Sequence, residues 1–312
     1  MPTRTNLSRA LKSRRGGGAM VALALDIGAT KFAAALVDST GAPEKPQRVA
    51  VPESGVWAAC RELLSTVAAG EMVTAVGIGS AGPVDVTAGV CGPLNIPEWA
   101  DGFPVVGAVR KVFPEAEIRF ALDGACLALA EHRLGAARGA NNALCLTVSS
   151  GIGGGIISDG RVVMGRTGNA GHVGHIVVPG NEEPCACGGF GCVEAVGSGK
   201  SAVRWAKRQG WEGRTGVELA QAARDGEPLA MEALARAGTA IGTAVASAAA
   251  LLDTDLVVIG GGFAQSGEPL WQPLRAAALG HARLRFLREL RVVPSELTDQ
   301  ATLRGAALLV GG

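Results

Sequence analysis

The chain contains no tyrosine and carries almost no net charge. Aromatic residues make up 4% of its 312 residues, and the formal net charge is only +1. A nearly neutral chain gives no electrostatic reason to expect nucleic acid, a membrane surface or a strongly acidic partner. Hydrophobic residues make up 48% and charged residues 18%, which is typical of a globular α/β protein. This length predicts two domains, each with its own core.

The sequence also lacks a convincing export signal and a disulfide framework. Arg14 and Arg15 precede an apolar run, but Asp26 and Lys31 interrupt that run and no small-residue cleavage site follows. Four cysteines stand singly in apolar segments: Cys60, Cys91, Cys126 and Cys145. We interpret them as buried free thiols, which favours a reducing cytoplasm as the location of the protein.

Residues 1–20 lack the apolar periodicity of a core element. They contain five Arg or Lys residues, and Met20 is an alternative start of the chain. Contact of this segment with nucleic acid is conceivable, but the composition favours a mobile, solvated basic extension.

Two common nucleotide-binding motifs are missing. In the segment SSGIGGG, Ser158 stands where a G-x-G-x-x-G motif needs its last glycine, and a strand rather than a helix follows. The segment GSGKS at 197–201 is not a Walker A loop, because Glu194 occupies the position of the required first glycine. The two common nucleotide-binding folds that carry these motifs, the Rossmann fold and the P-loop fold, are therefore disfavoured.

One loop contains a cluster of soft metal ligands. His175, Cys185, Cys187 and Cys192 follow the spacing H-x9-C-x-C-x4-C. Three thiolates and one imidazole can complete a tetrahedral zinc shell. The alternative is a flexible glycine-rich loop in which the thiols cluster by chance, and the short spacing makes it the weaker interpretation.

Three glycine turns, at 28–31, 150–155 and 260–262, each follow a predicted strand. The first two can present backbone N–H groups to phosphate, with Asp26 near a bound Mg²⁺. The third suits the close approach of a flat ligand such as a nucleoside. Ordinary hairpin turns have similar sequences, so each turn alone is weak support.

Two further segments have a structural and a functional interpretation. Asp123 stands at the predicted N-cap of a helix, and capping alone could explain it. The loop that contains Asn95, Trp99 and Asp101 could line a substrate pocket or could be an ordinary connector.

Taken together, the three glycine turns resemble the two phosphate motifs and the adenosine motif of the actin-like ATPase superfamily. Within it, AGHVGH…CACGGFGCVEA, LDIGATK, GPVD and SSGIGGG resemble the ROK family of sugar kinases over about residues 21–310. The resemblance implies an α/β, two-domain actin-like ATPase (ribonuclease H-like) fold with an interdomain cleft and a zinc-binding loop at 175–192. We expect a small domain of residues 21–122 plus 300–312 and a large domain of residues 123–299.

The resemblance also implies an activity. It predicts an ATP-dependent carbohydrate kinase that phosphorylates a hexose or amino-hexose at the C6 hydroxyl. The expected cofactors are ATP, Mg²⁺ and Zn²⁺, and the expected assembly is a homodimer or homotetramer that binds neither nucleic acid nor membrane. Asp123 matches the catalytic aspartate, which would be the general base.

The remaining site residues are carried over from the family motifs position by position. The substrate contacts would be Asn95, Leu122, Asp123, His172, His175 and Glu194, so His175 would be zinc ligand and sugar contact together. The nucleotide contacts would be Asp26, Gly28, Thr30, Lys31, Ser150, Gly151, Gly153, Gly261 and Gly262.

Two residues depart from the family pattern. Leu122 stands where the family usually has Asn, and His172 replaces the Glu of AGExGH, as in some N-acetylmannosamine kinases of the family. A substrate other than plain glucose would fit: N-acetylmannosamine, a kanosamine-like amino sugar or a C7-cyclitol. Two other classes are a non-catalytic sugar sensor and a ROK-type regulator without its DNA-binding domain. We expect no helix-turn-helix in the twenty residues that precede the first phosphate motif.

Overall fold

The first sheet is built from the N-terminal part of the chain. The computed structural model describes residues 21–297 and 300–311, so the predicted basic extension and Met20 lie outside the described residues. The sheet has the order β3-β2-β1-β4-β7. Its strands are β1 (Val21–Ile27), β2 (Lys31–Val37), β3 (Pro43–Ala50), β4 (Val73–Ser80) and β7 (Glu117–Leu122). β1 is antiparallel to β2 and parallel to β4, and β4 is parallel to β7.

The second sheet comes from the later part of the chain and has the order β10-β9-β8-β11-β12. Its strands are β8 (Ala143–Val148), β9 (Ile152–Ser158), β10 (Arg161–Val162), β11 (Leu256–Gly260) and β12 (Arg291–Pro294). β8 and β9 form a hairpin, whereas β11 runs parallel to both β8 and β12. A separate short hairpin pairs β5 (Val84–Asp85) with β6 (Val90–Cys91).

Helices cover the sheets and join them. They are α1 (Val56–Ala68), α2 (Val105–Val112), α3 (Asp123–Leu134), α4 (Val193–Gly197), α5 (Gly199–Arg208), α6 (Gly216–Arg224), α7 (Pro228–Leu252), α8 (Glu268–His281) and α9 (Ala301–Leu308). α3 packs on β9 of the second sheet and on α9, and α9 packs on β1 and β4 of the first sheet. These two helices therefore connect the sheets. The division into residues 21–122 plus 300–312 and 123–299 stays a prediction.

The central strands are apolar along most of their length because both faces of each sheet are covered. Every residue of β11 is buried, and Leu23 to Leu25 in β1 are completely inaccessible. The four lone cysteines Cys60, Cys91, Cys126 and Cys145 are buried free thiols, as predicted.

α7 is long and apolar enough to cross a membrane by length and composition alone. Here it packs on α8, and much of its surface is buried in the hydrophobic core beside the second sheet. A Cβ atom at Gly238 or Gly242 would overlap the carbonyl oxygen of Leu270 or Leu274 in α8. Glycines at 238 and 242 are the sequence signal for such close packing, and α7 is a core helix of this fold.

Three local predictions were wrong. β9 already begins at Ile152, so Gly153 to Gly155 belong to a strand and not to the preceding turn. The sequence GPVDVTAGV after Gly82 predicts a strand that returns along β4, but its strand β5 pairs with β6 instead. Asp123 is the first helical residue of α3 and not its N-cap, a position that Leu122 occupies without a side-chain capping bond.

Candidate active site

A cavity of about 310 Å³ lies at the carboxyl ends of parallel strands from both sheets. Open α/β folds commonly bind ligands at this edge. Every residue predicted for catalysis, substrate binding or nucleotide binding lines this cavity. They are Asp26, Gly28, Thr30, Lys31, Asn95, Leu122, Asp123, Ser150, Gly151, Gly153, His172, His175, Glu194, Gly261 and Gly262. The fold thus brings together residues that are far apart in the sequence.

Asp123 is a partly buried carboxylate that lines this cleft. Its Oδ1 accepts a hydrogen bond from the backbone N–H of Gly124 at 2.7 Å. Burial raises the pKa of Asp123 to about 6; the Gly124 hydrogen bond lowers it and nearby Glu194 raises it further. A carboxyl group with this pKa is ionised at neutral pH and is still basic enough to accept a proton.

Asp26, at the end of β1, is the second partly buried carboxyl group of the cleft. Burial raises its pKa to about 7, the charge of Asp123 raises it further, and Lys31 and Arg48 oppose the increase. The protonation of Asp26 therefore depends on the charge of Asp123. A cation bound between them and a phosphate would favour the ionised form of both.

The position of Asp123 depends on backbone contact between α3 and β9. A Cβ atom at Gly124 would overlap the carbonyl oxygen of Gly154, and one at Gly155 would overlap the carbonyl oxygen of Gly124. The glycine run of β9 therefore lets the first turn of α3 lie directly on the strand. This packing places Asp123 beside the turn at Ser150 and Gly151.

Glu194 connects the cysteine loop to the same turn. It lies in the first turn of α4, which begins immediately after Cys192, and its Oε2 accepts a hydrogen bond from the N–H of Ile152 at 2.8 Å. The other carboxylate oxygen is left to bind a ligand in the cleft. A displacement of Cys192 would consequently move both Glu194 and its contact with the turn.

The four predicted metal ligands converge. Their ligand atoms all lie within 4.8 Å of one another. Nδ1 of His175 is 3.7 Å from Sγ of Cys185, and Sγ of Cys187 is 3.8 Å from Sγ of Cys192. A tetrahedron with zinc–sulfur bonds of about 2.3 Å has sulfur–sulfur edges of about 3.8 Å, so the donor set fits zinc. With Nδ1 turned to the thiols, Nε2 of His175 is the ring nitrogen left for a ligand.

His172 and Leu122, the two departures from the family pattern, meet at Gly82. Nε2 of His172 and Cδ1 of Leu122 would each lie 2.7 Å from a Cβ atom placed on that glycine. The imidazole and the apolar side chain therefore lie on the same side of Gly82, and all three residues line the cleft. Any change of substrate preference caused by one of them would involve the other.

The loop that follows β6 divides into a part that lines the cleft and a part that anchors it. Asn95 lines the cavity, whereas Asp101 is exposed outside it. Trp99 is only 1% exposed and stacks between Phe32 and Phe103, with ring centroids 5.8 Å and 4.2 Å apart. Trp99 is therefore a core residue, and pocket-lining within the loop is limited to its first residues.

Glu98 fixes this loop to α1. Its carboxylate accepts hydrogen bonds from the N–H groups of Gly55 at 2.7 Å and Val56 at 3.1 Å, at the positive end of the helix. We expect Glu98→Ala to lower the free energy of unfolding by about 1 kcal/mol, the usual cost of a lost helix cap. If Asn95 binds the sugar, the KM for the sugar should also rise.

Urea unfolding and steady-state kinetics measure these two effects. Glu53→Ala is the matched control, because Glu53 is an exposed glutamate three residues before the start of α1. Equal changes in both variants would show that the carboxylate of Glu98 has no special anchoring role.

The sequence reasoning missed a second cavity, of about 540 Å³, that shares Ser149, Ser150 and Gly262 with the first. Its wall includes Lys200, Arg214, Thr215, Arg224, Phe263 and Gln265. The N-termini of α5 and α6 border it, and Thr215 caps α6 by accepting a hydrogen bond from the N–H of Glu218. The T-x-x-E capping signature was the available sequence signal.

Known proteins resemble the chain over nearly its whole length. The family model described as ROK family matches residues 22–312. The chain is 32% identical to a glucokinase of Thermotoga maritima over 92% of this chain and 96% of the glucokinase. It is 33% identical to a kanosamine kinase of Amycolatopsis mediterranei, over 93% and 95% of the two chains.

The fold also matches a solved structure. The crystal structure of a ROK family glucokinase from Streptomyces griseus, in complex with glucose and AMPPNP, superposes with a TM-score of 0.81 and 31% identity. The superposition covers 93% of this chain and 98% of that one. The predicted fold class, a two-domain actin-like ATPase fold, is confirmed.

Proposed function

This chain belongs to the ROK family, and we propose that it is an ATP-dependent sugar kinase that phosphorylates the C6 hydroxyl of a hexose or amino-hexose. Two relatives at or above 32% identity are a glucokinase and a kanosamine kinase. The observation that carries the proposal is the position of Asp123. Its partly buried carboxylate lines the same cavity as Ser150, His175 and Glu194, and the charge of Glu194 acts on it.

In the proposed reaction Asp123 accepts the proton of the sugar hydroxyl as that oxygen attacks the γ-phosphorus of ATP. General-base assistance of this kind is worth roughly 10²–10⁴-fold in rate. Positioning and neutralisation of charge provide most of the remaining catalysis in phosphoryl transfer. The pKa of about 6 lets Asp123 act as a base at neutral pH.

We assign the ATP phosphates to the turn at Gly28–Lys31 and to the segment Ser150–Gly153, which line one cleft with Asp123. Mg²⁺ bound with ATP would bridge the phosphates and neutralise their charge. Asp26 is the carboxylate that we assign to it. The second cavity adjoins Gly262 and is the place that we propose for adenosine.

The sugar would lie against the cysteine loop. Glu194 offers the carboxylate oxygen that Ile152 does not occupy, and His175 offers Nε2. A zinc ion held by His175 and the three cysteines would fix the orientation of the imidazole ring. Asn95, at the start of the loop after β6, would provide an amide contact from the other side.

An amino sugar is the second candidate substrate. One relative is a kanosamine kinase, and His172 and Leu122 replace the usual Glu and Asn of the family motifs. An imidazole and an aliphatic side chain recognise a hydroxyl pattern different from the one a carboxylate and an amide recognise.

The proposed function predicts how the rate depends on pH. Because burial raises the pKa of Asp123 to about 6, the carboxyl group is protonated below that pH and cannot accept the hydroxyl proton. We expect kcat/KM to fall as pH is lowered through the range of about 7 to 6, because the pKa of Asp26 is about 7 and that of Asp123 is about 6. ADP release measured from about pH 8 down to about pH 5 tests this. A flat profile would contradict a catalytic role for Asp123.

The central experiment is a sugar screen at saturating ATP and Mg²⁺, with the mass and phosphorylation position of each product determined. We expect ADP release that depends on the sugar and a 6-phosphate product. ADP release with none of the sugars would favour the non-catalytic sensor. A phosphate at another carbon would overturn the C6 assignment.

Two further properties remain proposals. We expect a reducing compartment such as the cytoplasm, because every cysteine is a free thiol and the cysteine loop requires reduced sulfur. We also expect a homodimer or homotetramer, which light scattering of the purified protein would reveal.

A further inference from the structure

The side chain of Asn169 is paired with the backbone of Val84, 85 positions earlier in the chain. The N–H of Val84 donates to Oδ1 of Asn169 at 2.8 Å, and Nδ2 of Asn169 donates to the carbonyl oxygen of Val84 at 2.6 Å. Nδ2 also donates to Oγ1 of Thr167 at 2.8 Å. Because Val84 offers one donor and one acceptor, this pairing fixes which end of the amide is oxygen.

The oriented amide in turn determines the protonation of His172. Nε2 of His172 lies 3.2 Å from Oδ1 of Asn169. A carbonyl oxygen can only accept, so Nε2 must carry the hydrogen of this bond. In a neutral imidazole that leaves Nδ1 without a proton and therefore as an acceptor. Within residues 21–297 and 300–311, Nδ1 of His172 has no hydrogen-bond partner.

The neighbour of His172 at its Nε2 edge is aliphatic. The ring lines the cleft, and its Nε2 atom and Cδ1 of Leu122 both approach the same side of Gly82. The nearest titratable ring is that of His175, with centroids 5.8 Å apart, and Asp123 and Glu194 line the same cleft. A bound ligand must therefore bring its own donor to Nδ1 of His172.

We propose that Asn169 is a positioning residue that makes His172 a hydrogen-bond acceptor, so that the substrate must present a hydroxyl or amino group at this point. A sugar that carries only an acceptor there, such as a fluorine atom, is rejected. The inference rests on the proposed sugar-kinase function and specifies one recognition element of its substrate. Asn169 itself does not line the cleft and acts through His172.

The protonation of His172 can be measured without substrate. The chain has only four histidines, so ¹⁵N-histidine labelling of the full-length, zinc-loaded protein gives few ring signals, and His172→Gln assigns those of His172. At about pH 8, above the ordinary histidine pKa of about 6.5, we expect hydrogen on Nε2 and none on Nδ1. Hydrogen on Nδ1 in the wild-type protein would overturn the proposal.

Kinetics with fluorinated sugars test the consequence. The best substrate from the sugar screen is compared with analogues in which one ring hydroxyl at a time, other than the one at C6, is replaced by fluorine. We expect one position to lose roughly tenfold or more in kcat/KM, because Nδ1 is left without a donor. An amino group at that position should be tolerated.

The variants connect this loss to the two residues. In Asn169→Leu the KM for the sugar should rise more than kcat falls, and the fluorine penalty should shrink. In His172→Ala, which leaves the pairing of Asn169 with Val84 in place, the penalty should disappear. Asn142→Leu is the matched control, since Asn142 also accepts a hydrogen bond from a loop N–H, that of Asp159 at 3.2 Å, outside the cleft.

The outcomes separate the two hypotheses. If no sugar is phosphorylated, the proposed function fails, and the ¹⁵N spectrum still decides the protonation of His172. If a sugar is phosphorylated but no fluorine position is penalised, the recognition role of His172 is wrong. A penalty that persists unchanged in His172→Ala or in folded Asn169→Leu refutes it as well.

Discussion

Purified Asp123→Asn is expected to remain folded and to lose roughly 10²–10⁴-fold in kcat, the usual contribution of a general base. An amide has nearly the shape of the carboxylate, and its oxygen can still accept the hydrogen bond from Gly124, which is 2.7 Å long in the wild-type protein. It cannot, however, accept the proton of a sugar hydroxyl. Steady-state ADP release with the best sugar measures the loss.

Stability should change in the opposite direction from activity. The pKa of Asp123 is raised in the folded state, so above about pH 6 the ionised side chain opposes folding; that cost is absent once the group is protonated. Replacement by a neutral amide removes the cost, and the melting temperature at about pH 8 should be unchanged or higher. Asp101→Asn, in an exposed position outside the cleft, is the control for loss of a negative charge. Wild-type turnover by Asp123→Asn would refute the assignment.

Loss of one metal ligand should have the second largest effect. We expect Cys187→Ser to lose its zinc and to fall roughly 10²-fold in kcat/KM for the sugar, since small displacements of positioning groups can cost this much. Cys187 is exposed, so the substitution itself leaves no cavity in the core. Loss of the metal would displace Cys192 and, with it, Glu194, whose carboxylate accepts a hydrogen bond from the N–H of Ile152.

Zinc content per chain, measured by mass spectrometry, and the KM for the sugar are the two readouts. Cys60→Ala is the control, because Cys60 is buried in the hydrophobic core beside the first sheet. Removal of its thiol should reduce stability without releasing zinc. Wild-type protein that is active without bound zinc would contradict the prediction. So would a Cys187→Ser protein that has lost zinc but keeps normal sugar kinetics.

Local patterns predicted much of the fold. The apolar runs at β1, β8 and β11 are strands that are mostly or, for β11, completely buried, and the long alanine-rich segment forms α7. Such patterns work because burial on both faces of a strand, or along one face of a helix, leaves a periodic trace in the sequence. The start of strand β9 at Ile152 and the start of helix α3 at Asp123 were less well predicted. Glycine is common in turns and also fits this strand, and aspartate suits both the N-cap and the first turn of a helix.

The glycines of β9 show how a correct motif can have an incomplete explanation. The sequence pattern predicts that Gly153 to Gly155 belong to a phosphate-binding turn, and Gly153 does line the cleft. In the structure, Gly154 and Gly155 also admit the backbone of α3 at Gly124. This second requirement involves a helix about thirty residues earlier in the chain, so no local pattern records it.

The sequence by itself determined the family, the order of the three glycine turns and the set of four metal ligands. Each single motif consists of residues close together in the chain, and the motifs follow one another in a fixed order. Only the tertiary structure decided that Asp123 lies beside those turns, that a second cavity adjoins them, and that Asn169 pairs with Val84 and orients His172. These relations join segments up to 85 positions apart. They arise when two sheets and the helices between them pack, and such contacts leave no spacing in the sequence from which they could be inferred.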